Sequence, residues 1–148
     1  RQRGTGSVLA HTLRRWQPTG RSAEGLLQVP QHLSRQRSLV FLVSDFHLPM
    51  PLVEATLDGL AAHEVVPVVL WDPLEFGPDA RRGLLTVVDP ESGRQRLVWW
   101  RPALRARWQV ARTAHRTALM QALQARRLQP LIIEGGFDAD AVTRHFYA

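Results

Sequence analysis

Apolar residues run unbroken from Leu39 to Val43 and stop abruptly at Ser44-Asp45. A second run, Val65 to Leu70, is closed by Trp71-Asp72. Continuous apolar runs of this length predict strands buried on both faces, as in a parallel sheet covered by helices. Between them Val53, Leu57, Leu60 and Ala61 recur at i, i+4, i+7 and i+8, an amphipathic helix that Pro49 and Pro51 would start. Strand, helix and strand make a βαβ unit, so Ser38–Ser44 and Val65–Leu70 are expected to be adjacent and parallel. Asp45 and Asp72 then share the carboxyl-end rim, where open α/β sheets hold ligands. A carboxylate at Asp45 either contributes to such a site or caps the following helix. Pro67 has no amide donor, which predicts an unpaired side or a bulge in the second strand.

The flanking segments follow the same logic. Val8, Leu9, Leu13 and Trp16 lie at helical spacing behind Ser7, a helix-capping residue type. Gln17-Pro18-Thr19-Gly20 breaks that helix, and Ser22 opens another carrying Leu26, Leu27 and Val29, with Glu24 in its first turn. Leu84–Val88 and Arg96–Trp100 flank a turn ending in Gly93, a β-hairpin. The longest helix starts at Pro102 and is expected to reach about Arg127, with Leu104, Trp108, Ala111, His115, Leu119 and Ala122 as its apolar stripe. Arg101, Arg105, Arg112 and Arg116 fall within roughly 60° of each other beside that stripe. They are a solvated face or a docking face for an acidic partner. After Pro130 come a short strand, Leu131–Ile133, a turn at Gly135-Gly136, and a last helix to Tyr147 that Asp138 would cap. The fold class expected is α/β, one domain over 1–148, with 1–7 frayed.

Composition narrows the picture. All 19 basic residues are Arg, Asn is absent, and Ile occurs only at 132 and 133. Those absences fit a GC-rich coding bias, so the net charge of +6 does not by itself imply nucleic-acid binding. The charge is segregated. Residues 1–37 carry seven Arg against Glu24, residues 38–91 nine acids against two Arg, and residues 92–129 nine Arg and no acid. Such asymmetry suggests a charged interface. There is no cysteine, hence no disulfide or thiolate site. No apolar run approaches a membrane span and no secretory signal is visible, so a cytoplasmic protein is expected. The chain opens at Arg1 rather than Met, which suggests a processed or cut product.

Asp45-Phe46-His47 is an Asp-x-His after a strand, the first metal motif of calcineurin-like phosphoesterases, where a carboxylate and an imidazole hold one metal of a pair. The further Asn and His-x-His ligands of that family are absent. A metal-dependent phosphoesterase using Asp45 and His47 is thus the alternative reading. The other His (11, 32, 63, 115 and 145) form no zinc-protease motif, and no nucleophile elbow or phosphate loop occurs. His115, on the apolar stripe, reads as a core histidine. Trp99 and Trp100 alternate faces of a strand and suit core or interface.

Arg37 to Phe46, Leu60 to Glu75, and the hairpin Gly83 to Gly93 together resemble the bacterial von Willebrand factor A-like family known as domain of unknown function fifty-eight. The resemblance covers residues 20–100 best. It implies a three-layer, mainly parallel doubly wound sheet with a degenerate or incomplete metal-ion-dependent adhesion site. Asp45 matches that site's last carboxylate, and its hydroxyl position falls near Thr19 or Ser22. The Asp-x-Ser-x-Ser of the family's first strand is not in this chain and would precede Arg1, so the chain resembles the C-terminal part of such a domain. The resemblance implies no catalytic activity and no tightly bound cofactor, with Mg2+ the ion of the site in a full-length protein. It implies a MoxR-type AAA+ ATPase as partner. The lost strand would leave the apolar edge of Leu39–Val43 open to self-association.

Overall fold

The computed structural model describes residues 5–17, 23–72, 83–88 and 93–147. Strand β1 (Leu39–Ser44), helix α3 (Met50–Gly59) and strand β2 (Glu64–Trp71) form the expected unit. β1 and β2 are parallel neighbours, in register from Leu39 opposite Glu64 to Ser44 opposite Val69. α3 is entered through Pro49 and carries Pro51 in its first turn, where a missing N–H costs nothing. Strand β5 (Leu131–Glu134) pairs parallel on the far side of β2, from Val68 opposite Leu131 to Trp71 opposite Glu134. The order is therefore β1-β2-β5, with β2 in the centre. Pro67 is accommodated because the β5 ladder begins one residue beyond it.

Helix α4 (Pro102–Ala125) and α3 lie on one face of this sheet. There Phe46, Val53, Leu57, Val69, Leu119 and Leu123 form the main core. Helix α5 (Ala139–Tyr147) lies on the other, with Val142 against Val66, Val68 and Leu131. Asp138 caps α5 as expected, its Oδ1 accepting the Asp140 amide at 2.9 Å. Strands β3 (Gly83–Val88) and β4 (Gln95–Trp100) form the predicted hairpin, an antiparallel sheet separate from the parallel one. Gly93 closes it at φ +66°, a left-handed conformation that glycine adopts without penalty.

Three expectations are corrected. β1 is not buried on both faces: Val40, Leu42 and Ser44 are half-buried, whereas Leu39, Phe41 and Val43 are each more than 50% exposed. α5 sits over β2 and β5 and reaches β1 through the edge-to-face contact of Phe146 with Phe41. The first helix, α1, spans Thr5–Arg15 with Ser7 inside it rather than capping it, and its stripe Val8, Leu9, Leu13 and Trp16 stands exposed. The second predicted helix is a 3-10 turn (Glu24–Gln28) running into a short helix α2 (Val29–His32) that carries Pro30 in its first turn. Among the described residues, no helix is long and apolar enough to cross a membrane.

Candidate functional site

The rim at the carboxyl ends of β1 and β2 is built by a tight reversal after Ser44. The Ser44 hydroxyl accepts the Phe46 amide at 2.9 Å, and Asp45 Oδ1 accepts the His47 amide at 3.0 Å. These successive side-chain turns hold Phe46 in a left-handed conformation, φ 54°, which is costly for a bulky residue. Burial offsets that cost, because the Phe46 ring is 1% exposed in the main core. Asp45 thus closes the turn ahead of α3 rather than capping that helix, whose N-cap is Pro49 with no side-chain hydrogen bond.

Helix α4 crosses the rim and supplies the remaining groups. His115 Nε2 donates to the Phe46 carbonyl at 2.7 Å, which fixes its proton on that nitrogen. Its ring stacks on that of His47 at 6.2 Å between centroids. Arg112 lies against the His47 imidazole, with Nη1 2.8 Å from Nε2, and its guanidinium stands 6.0 Å from the centre of the Trp108 ring. One turn on, the Arg116 guanidinium stacks 3.9 Å above the Trp71 ring and lies 3.8 Å from Glu134 Oε1 at the end of β5. His47, Pro49, Trp108, Ala111, Arg112 and His115 line an open cleft of about 500 Å3.

This arrangement separates the residues that the sequence groups. Asp45 and His47 are engaged separately: the carboxylate serves the backbone, and the Arg112 guanidinium lies against the ring nitrogens of the imidazole. An Arg guanidinium there disfavours a metal ion. Among the described residues, no group of three or more His, Asp or Glu could hold a metal. Asp45 alone offers too few oxygens to displace the water shell of Mg2+. Thr19 and Ser22, the hydroxyl candidates, lie outside the described residues. Of the arginine face, Arg101 is exposed at the start of α4 and Arg105 half-buried, while Arg112 and Arg116 are engaged within the molecule. The convergence of His115, Arg112 and Trp108 on His47 was not foreseen. The available signal was their i, i+4 and i+7 spacing on one helix, which aligns three side chains without saying what they meet.

The family described as "Protein of unknown function DUF58" matches residues 3–118. A curated protein of Paracoccus denitrificans, described as an uncharacterized protein in the moxR 3' region, is 36% identical over 101 residues. That alignment takes in 68% of this chain and 96% of the relative. No solved structure matches the chain.

Proposed function

The chain belongs to the DUF58 family, and from that premise we propose that it is a non-enzymatic protein-interaction module that works with a MoxR-type AAA+ ATPase. The observation that carries this reading is the relative's place in a moxR 3' region. Segregated charge along the chain supports it: residues 92–129 hold nine Arg and no acid, a balance suited to an acidic partner. In this reading the fold is von Willebrand A-like and doubly wound. Helices on both faces of a parallel sheet are what such a fold requires. Asp45 is the remnant of a degenerate metal site, with Thr19 or Ser22 as its hydroxyl. The outer edge of β1 is the place for self-association.

The test uses the purified chain and the MoxR-type ATPase of the same organism, mixed with and without ATP and followed by calorimetry. A saturable complex is expected, weakened about tenfold or more by Arg101→Glu with Arg105→Glu, since each reversal places like charges across the interface. Arg112 and Arg116 are unsuitable, because they also hold the rim together. No complex at tens of micromolar in either nucleotide state would refute the proposal. Titration with Mg2+ alone is expected to give at best millimolar binding, unchanged in Asp45→Ala.

A further inference from the structure

A second cleft, of about 510 Å3, lies between the hairpin and the first turns of α4. The pairing of β3 with β4 puts Val87 opposite Arg96, Leu85 opposite Val98 and Gly83 opposite Trp100, so these residues share one face of the hairpin. Val87, Val98 and Trp100 from that face meet Leu104 and Trp108 from the helix. The two indoles stand edge to face, 6.3 Å between centroids. Arg94 and Arg96 complete the lining. The walls are thus apolar and aromatic, with cationic groups at one end and no acid anywhere from residue 92 to 129.

One atom in this wall is out of place in a finished core. Trp100 is 3% exposed, yet its indole N–H is buried without an acceptor among the described residues. Buried donors are almost always paired, because an unmade hydrogen bond costs more than a made one returns. The group calls for an acceptor, and its own side chain lines the cleft.

We propose that this cleft binds a short acidic segment of a partner protein that carries a large apolar side chain. The apolar side chain enters between Trp100 and Trp108. A backbone carbonyl of the segment accepts the Trp100 indole proton. The flanking carboxylates lie by Arg94 and Arg96. The cleft has the volume of a small-ligand site, enough for such an anchor and its neighbours. It is distinct from the rim at Asp45 and His47, although Trp108 contributes to both. The proposal does not depend on the partner's being an ATPase.

The probe is a six-residue blocked peptide, leucine-phenylalanine flanked on each side by two acidic residues, titrated into the full chain labelled with 15N at its five Trp. The indole signals are assigned by single Trp→Phe substitutions. Saturable shifts of Trp100 and Trp108 are expected, Trp100 moving downfield as its proton is taken up, while Trp99 on the opposite face of the hairpin stays still. R94Q with R96Q should weaken binding about fivefold or more at low salt and little at 0.5 M, as expected of surface charge pairs. Trp108→Ala should weaken it about tenfold or more by removing an aromatic anchor wall. Because that variant also loosens the hairpin, L104Q serves as the second cleft variant, and circular dichroism confirms that each is folded. A peptide that leaves Trp100 and Trp108 unmoved at millimolar concentration overturns the proposal. So does a version with serine in place of the acids that binds as tightly, or decanoate moving the same signals at lower concentration than the peptide. The last result would assign the cleft to a small amphiphile.

Discussion

β1 and β2 are nearly interchangeable as strings of letters, and the molecule treats them differently. Both are continuous apolar runs. β2 is central, with Val65 to Val69 buried and core on both faces; β1 is at an edge, half-buried on one face and exposed on the other. The difference lies not in hydrophobicity but in what each run is given to pack against. α3 and α4 cover one side of both strands, whereas α5 covers the other side over β2 and β5 and touches β1 through one aromatic pair. A run of apolar residues states a capacity for burial; the neighbours decide how much of it is used.

The sharpest way to break this comparison lies on the β1 segment itself. Phe46→Ala removes a fully buried ring and should cost about 3–5 kcal/mol in urea unfolding. Phe41→Ala, five residues earlier and half-exposed against Phe146, should cost about 1 kcal/mol, the scale of an edge-to-face pair. Equal losses would mean that the outer face of β1 is covered after all. Phe46→Gly separates packing from backbone strain. It should be more stable than Phe46→Ala by about 1 kcal/mol, because only glycine takes the left-handed conformation freely.

The next pair compares the strands at matched chemistry. Val69→Ala deletes two methyl groups from a site with no exposure and should cost about 2 kcal/mol. Val43→Ala, 57% exposed in β1, should cost less than about 1 kcal/mol. Hydrogen exchange gives an independent reading. β2 amides should approach the protection set by global unfolding, while β1 amides facing away from β2 should exchange by local opening. Protection of those edge amides that rises with protein concentration would instead reveal pairing between copies.

What could be read from the letters follows the same divide. The βαβ unit, the hairpin and the long helix were legible because their signals are local: run length, a Gly-bearing turn, a helical period behind Pro102. The cover on β1 was not, since it depends on where α1 and α5 settle. α1 has a fine helical stripe, yet Val8 and Trp16 stay exposed. At the rim, Asp45 was correctly placed at a strand end with two roles open. It does not cap α3: its carboxylate closes a turn through a 3.0 Å contact to the next-but-one amide, and Arg112 reaches His47 from 65 residues away. Spacing within one element cannot encode which distant element arrives.

The smallest expected effect concerns the shared face, where α3 and α4 hold the cover that both strands use. Arg126 Nε donates to Asp58 Oδ1 at 2.7 Å, and Arg126 Nη1 donates to the Ala122 carbonyl at 3.0 Å, tying the end of α4 to α3. The hydrogen bond from Arg126 holds the Asp58 carboxyl below the ordinary carboxylate range, and the nearby positive charge acts in the same direction. A folded-state value below the unfolded one means that the pair stabilises the fold above the unfolded carboxyl's pKa. Its contribution is lost as pH falls through the folded one. Asp58 is largely exposed, so solvent screens the pair and the gain is small. Asp58→Asn should therefore lower the unfolding midpoint slightly at pH 7. The gap should close as the pH is taken below the ordinary carboxylate range, and 0.5 M salt at pH 7 should narrow it. Denaturation curves of the two proteins at pH 7 and pH 2 measure this directly. A gap that persists undiminished at pH 2 would mean that Asp58 acts through the geometry of the α3 terminus rather than through its charge.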